Sequence, residues 1–220
     1  MMKAGTGSSP EPSSGTLVHI VEDDEDARQG TARLLTAAGY TVRTYVSAAD
    51  FLAALPIRNP GCVVLDVQLP GTSGLELHEM LSQASDVLPV VFVTGHGSIP
   101  MSVQAIKAGA VDFLAKPVPR DVLLSAVAQA IARDAAERAG RAETLEVRTR
   151  YERLTPRERE VFAHLIAGQL NKQVAFDLGT KERTIKAHRH SNMEKLGARS
   201  MAELVRMAAA LGIAPVRSDA

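Results

Sequence analysis

The chain contains no tryptophan and only one cysteine, and aromatic residues make up 4% of its 220 positions. A lone Cys62 cannot close an internal disulfide or build a thiolate metal cluster, so the disulfide-stapled and zinc-ribbon classes are excluded. Cys62 lies in an apolar run, where a single thiol reads as a small core residue. No apolar run approaches the roughly 20 residues of a membrane span. Met1 to Thr16 is rich in Gly, Ser and Pro and lacks the basic-then-apolar order of a secretory signal. Residues 1–15 are therefore expected to form a disordered tail. Together these absences point to the cytoplasm and to no membrane association.

Net charge is missing as well, because 25 basic and 25 acidic residues cancel. The cancellation conceals an asymmetry. Residues 16–135 hold 8 Lys and Arg against 13 Asp and Glu, a net of −5, whereas residues 150–212 hold 12 against 7, a net of +5. An acidic half and a basic half suggest two domains with two tasks, the basic one being the candidate polyanion binder.

What is present in the acidic half is an alternation. Short apolar runs at 17–21, 41–46, 62–66, 89–94 and 110–115 read as strands. Helical segments separate them: Ala27–Ala38, a segment opened by Ser47 and Asp50, one opened by Ser73 and Gly74 through Ala84, one beginning at Pro100 and ending at Lys107, and one from Asp121 onward. Five strands alternating with five helices predict a doubly wound parallel sheet covered on both faces. From Arg120 to Arg153 there is no Pro and one Gly, Gly140, among strong helix formers. This segment is expected to be helical, either continuous or broken at Gly140, as a solvated linker or a dimerising coil.

The basic half reads as four helices. Thr155-Pro156-Arg157-Glu158 forms a capping box with Pro at the first helical position, and that helix stops at Gly168. Asn171–Leu178 is a short helix closed by Gly179. Thr180 caps a longer helix, Glu182 to Leu196, and Ser200 with Glu203 opens the last one. A short helix, a Gly-containing turn and a longer helix are the signature of a helix-turn-helix. The expected division is a doubly wound α/β domain at 16–133, a helical linker at 134–152, an all-α domain at 153–213 and a tail at 214–220.

In an open parallel sheet, ligands bind outside the carboxyl ends of the strands. The residues there are Glu22 and Asp23 after the first strand, Asp66 at the end of the third, Thr94 at the end of the fourth and Lys116 after the fifth. Clustered carboxylates repel one another, and a hard oxygen-seeking dication such as Mg²⁺ relieves that repulsion. An Asp carboxylate can also act as a nucleophile toward phosphorus, given cationic help on the phosphoryl oxygens.

These residues resemble the receiver domain of two-component response regulators through VHIVEDD (18–24), LDVQLPGTSG (65–74), VTGHG (93–97) and DFLAKP (112–117). The resemblance implies Asp66 as phosphoacceptor from a cognate sensor histidine kinase. It implies Glu22, Asp23, Asp66 and the backbone carbonyl of Gln68 as Mg²⁺ ligands, Thr94 and Lys116 as phosphoryl contacts, and Phe113 as the rotating aromatic of the switch. Residues 94–113 are similar to the branch of FixJ and the styrene regulators. A haloacid-dehalogenase-type phosphatase also uses a strand-end Asp, but needs a second Asp two residues later, where this chain has Gln68. Enzymatic turnover is therefore not expected.

The basic half resembles the LuxR/NarL-type helix-turn-helix through LTPREREV (154–161), NKQVAFDLG (171–179), TIKAHRHSNMEKLGARS (184–200) and AELVRMA (202–208). Lys186, Ala187 and His190 then take base-facing positions, with Arg183 on the same face and Thr184 beside them. Lys172, Lys181 and Arg189 are phosphate candidates, and Ala187 suits contact with a thymine methyl. His188 reads as a packed structural histidine. The resemblance implies a transcription factor, an activator rather than a repressor, that forms a phosphorylation-dependent homodimer on promoter DNA and works with RNA polymerase. The alternative is a phosphorylation-independent DNA-binding protein whose receiver is only a scaffold.

Overall fold

The computed structural model describes residues 15–83, 88–95 and 98–216. Expectations for residues 1–14, the end of the helix near Ala84, His96, Gly97 and residues 217–220 lie outside the described residues. Five strands form one parallel sheet: β1 (Leu17–Val21), β2 (Thr41–Tyr45), β3 (Gly61–Leu65), β4 (Val90–Thr94) and β5 (Asp112–Ala115), in the order β2-β1-β3-β4-β5. Every residue of β3 and β4 is buried, as continuous apolar runs require when helices cover both faces. The expected doubly wound sheet is what the chain forms.

Alternate residues of each strand feed two cores. Val21, Val63, Leu65, Val90 and Phe92 pack against α2 (Ala48–Ala53), α3 (Gly74–Ser82) and α4 (Ile99–Lys107). Val18, Ile20, Cys62, Val64, Val91, Val93 and Leu114 pack against α1 (Glu25–Ala37) and the first half of α5 (Arg120–Glu152). Ser side chains start three of these helices: Ser47 accepts from the Asp50 amide, Ser73 and Glu76 form a reciprocal capping box, and Ser98 accepts from the Met101 amide.

The helix α5 is continuous over 33 residues, which decides against a break at Gly140. One glycine costs about 1 kcal/mol relative to Ala, less than its helix-forming neighbours restore. Pairs one turn apart add to it: Arg133 with Glu137 at 2.8 Å and Arg150 with Glu146 at 2.6 Å. The chain divides into two compact units between Glu137 and Arg138, inside this helix.

The second unit contains α6 (Pro156–Ile166), α7 (Asn171–Asp177), α8 (Glu182–Leu196) and α9 (Met201–Ala210). Thr155 and Glu158 make the expected capping box of α6. The N-cap of α8 is Lys181 rather than Thr180, and it makes no side-chain cap bond. Val161, Leu165, Val174 and Ile185 form one small core, and Leu154, Phe162, Leu196 and Leu204 another. Among the described residues, no helix is long and apolar enough to cross a membrane.

Candidate functional site

The order 2-1-3-4-5 reverses direction between β1 and β3, which opens a crevice at their carboxyl ends. Val21 and Leu65 are paired in register, so the residues that follow, Glu22 and Asp66, emerge side by side. Backbone bonds fix both: the Asp66 amide donates to the Val21 carbonyl at 3.0 Å and the Glu22 amide to the Tyr45 carbonyl at 3.1 Å. Carboxylate oxygens of Glu22, Asp23 and Asp66 lie within 4.8 Å of one another. Glu22 and Asp66 are buried and Asp23 is exposed, so the cluster opens to solvent on one side.

Lys116 reaches this cluster from the far strand. Thr94 and Ala115 are paired, and the Lys116 amide donates to the Thr94 carbonyl at 2.8 Å. The Lys116 ammonium then donates to Glu22 Oε2 at 2.6 Å and to Asp66 Oδ2 at 2.7 Å. The other Asp66 oxygen accepts from the Gln68 amide at 2.9 Å. Burial raises the Glu22 carboxyl above its ordinary range; Lys116 pulls it back down, and the neighbouring Asp66 carboxylate pushes it up again. Burial opposes the charged Lys116, but its bonds to Asp66 and Glu22 hold the ammonium above its ordinary value.

Thr94 is fully buried at the end of β4. Phe113 is half-buried and packs against the core, its ring 5.9 Å from that of Phe92. Outside this rim, α4 exposes a run of apolar side chains: Ile99 is 81% exposed, and Val103 and Ile106 about half.

Two supporting residues escaped the sequence reading. Arg28 is buried, and its guanidinium donates to the backbone carbonyls of Glu22 at 2.8 Å and Asp23 at 3.0 Å, while also pairing with Glu25. It therefore braces the loop that carries two of the three carboxylates. Gly74 packs so close beneath Asp66 that an added Cβ would stand 2.0 Å from the Asp66 carbonyl oxygen. A basic residue in an amphipathic helix and a glycine after a turn carry no sequence signal for either role.

In the second unit, α8 turns Ile185 and Leu196 into the cores and leaves Arg183, Thr184, Lys186, Ala187 and His190 exposed. Arg189 and His188 are half-buried, and Lys172 and Lys181 are exposed. Lys186 pairs with Glu182 at 3.0 Å, an exposed i, i+4 pair that an anion could displace. The helix is fixed from α6 by Glu158, whose carboxylate accepts from Ser191 at 2.6 Å and from Lys195 at 2.7 Å, while Asn192 donates to the Glu158 carbonyl at 3.0 Å.

Comparison with known proteins covers both units. Residues 18–128 match the family described as "Response regulator receiver domain", and residues 152–208 match "Bacterial regulatory proteins, luxR family". The chain is 41% identical over 209 residues to Nodulation protein W of Bradyrhizobium diazoefficiens, spanning 95% of this chain and 92% of that protein. It is 40% identical over 198 residues to the Transcriptional regulatory protein FixJ of Rhizobium meliloti, spanning 90% and 97%. Among solved structures, the Response Regulator StyR superposes with a TM-score of 0.76 at 42% identity, covering 89% of this chain and 99% of that one. The chain belongs to the two-component response regulators that join a receiver domain to a LuxR-type DNA-binding domain, a family of transcription regulators rather than enzymes.

Proposed function

We propose that Asp66 accepts a phosphoryl group from a sensor histidine kinase, and that the modified receiver controls promoter binding by α8. The observation that carries this reading is the convergence of Glu22, Asp23, Asp66 and Lys116 at one strand-end rim. The three carboxylates are a hard-oxygen donor set that suits Mg²⁺, and the Gln68 backbone carbonyl would complete it as a fourth protein ligand. When bound, Mg²⁺ neutralises charge on the phosphoryl oxygens.

An Asp66 carboxylate oxygen attacks phosphorus, the phosphorus–nitrogen bond to the kinase histidine breaks, and the electron pair returns to that imidazole. Lys116 exchanges its bond to Asp66 for one to a phosphoryl oxygen, and the Thr94 hydroxyl donates to another. The added charge of about −1.5 to −2 draws Thr94 toward the rim, and Phe113 turns into the space behind it. The face of Met101, Val103, Ile106, Val111 and Asp112 then dimerises, and the exposed Ile99 extends it. Two α8 helices meet half-sites about 34–36 Å apart, with Lys186, Ala187 and His190 toward base edges, Arg183 and Thr184 beside them, and Lys172, Lys181 and Arg189 on phosphates. The bound dimer recruits RNA polymerase. Domain limits of 16–133 and 153–213 with a linker at 134–152 accompany this reading.

The test treats the wild type and D66A with acetyl phosphate and Mg²⁺, followed by sedimentation and by binding to a selected DNA pool at stated salt. The reading expects a monomer-to-dimer shift and tighter DNA binding in the wild type alone. Equal behaviour of the two proteins would favour the phosphorylation-independent scaffold.

A further inference from the structure

We infer that Arg150 is a positioning residue for DNA recognition, fastening the C-terminal end of α8 to the last turn of α5. The inference rests on the reading of α8 as the recognition helix. Arg150 lies in neither family match, since these cover 18–128 and 152–208.

Leu196 is the last residue of α8, and its carbonyl is among the four that a helix leaves without an intrahelical donor. The Arg150 guanidinium donates to that carbonyl at 3.0 Å. It also brings a cation to the negative end of the α8 dipole. Glu146, one turn earlier on α5, pairs with the other guanidinium nitrogen at 2.6 Å and sets its direction. The next residue, Gly197, has φ +70°, and a Cβ there would stand 2.6 Å from Arg150 Nη1. Glycine at 197 thus permits both the left-handed cap and the approach of the guanidinium.

The same side of α5 is seated on the second unit. Val147 is buried, and Tyr151 packs edge-on against Phe162 with ring centroids 5.4 Å apart, beneath the Arg159 guanidinium. The bonds of Glu158 to Ser191 and Lys195 hold the C-terminal half of α8 from α6, and Arg150 adds a second tie, from α5, at the last carbonyl of the helix. The orientation of the exposed Arg183, Lys186 and His190 therefore depends on the last turn of α5.

The experiment uses the full chain as wild type, R150A, R150K and G197N. Asn tolerates the left-handed conformation, but its Cβ displaces the guanidinium. Affinities for a sequence enriched by the wild type from a random DNA pool and for an unrelated sequence are measured across a salt series, beside thermal melts. The tie predicts that R150A and G197N lower specific affinity roughly tenfold, on the scale of one lost base contact, with unrelated-sequence affinity and the salt slope unchanged and R150K intermediate. Loss of both affinities together, with the salt slope reduced by about one, would instead make Arg150 a phosphate contact. If R150A fails to fold, G197N and R150K decide: wild-type specificity in both overturns the inference. A wild type that enriches no sequence overturns the reading of α8 and this inference with it.

Discussion

Lys116 Nζ stands 2.7 Å from Asp66 Oδ2, although 50 residues separate them in the chain. The sheet makes the meeting unavoidable. β3 delivers Asp66 and β5 delivers Lys116 to the same rim, and the pairing of Thr94 with Ala115 sets the height of the lysine. The ammonium also holds Glu22, so one cation stands between two buried carboxylates.

Removing that cation should expose their repulsion. K116A leaves Glu22 and Asp66, each with 7% of its side chain exposed, without this counter-charge. The receiver is expected to lose about 1–3 kcal/mol in Mg²⁺-free buffer. Added Mg²⁺ should raise its melting temperature more than it raises that of the wild type. Calorimetry with and without Mg²⁺ checks this, and equal increments in both proteins would count against the cluster as the cation site.

Gly74 is required by space. A methyl group there meets the Asp66 carbonyl oxygen at 2.0 Å and the Val67 Cα at 3.0 Å, both backbone atoms. G74A is expected to cost about 2–3 kcal/mol and to slow modification of Asp66 by acetyl phosphate, because the loop that bears the carboxylate must move. Urea unfolding and the phosphorylation rate measure the two effects. A G74A protein with wild-type values for both would show that the loop yields freely.

His19 gives the receiver a pH dependence. Burial first, and then the Arg43 charge, push its imidazole down to about 4 from 6.5. The fold holds His19 neutral, whereas the unfolded chain takes up a proton below pH about 6.5. Stability from this group is complete above that value and is lost as pH falls toward about 4, on the order of 3 kcal/mol in all. Burial also lowers His78, which acts in the same direction. H19Q should flatten the melting profile between pH 4 and 6.5; an unchanged slope would remove His19 from the account.

Glu158 contributes at more acid pH. Burial opposes its charge, but bonds from Lys195, Ser191 and Thr155 more than offset this and hold the carboxyl at about 2, against an ordinary 4.5. Its stabilisation is complete above pH about 4.5 and is lost as pH falls toward 2. E158Q should remove that dependence from the melting of the second unit and destabilise it at pH 7 by about 2–3 kcal/mol. A wild-type acid profile in E158Q would place the dependence elsewhere.

The strand ends were legible because continuous apolar runs mark parallel strands, and parallel strands put their carboxyl ends on one side. Glu22, Asp66, Thr94 and Lys116 follow from that rule alone. β5 starts two residues later than the apolar run, since Ala110 and Val111 already pack as the chain leaves the turn after α4. The Thr155–Glu158 capping box was legible, but the bond from Glu158 to Lys195 spans 37 residues and is tertiary. Arg28, Gly74 and Arg150 act through backbone carbonyls or close backbone approach, and no residue pattern encodes a carbonyl partner.

The most direct test of the account is the intact mass of wild type and D66N after incubation with acetyl phosphate, with Mg²⁺ and with chelator. The account predicts one added phosphoryl group, on wild type alone and only with Mg²⁺. Equal modification of D66N, or modification undiminished by chelator, would contradict it.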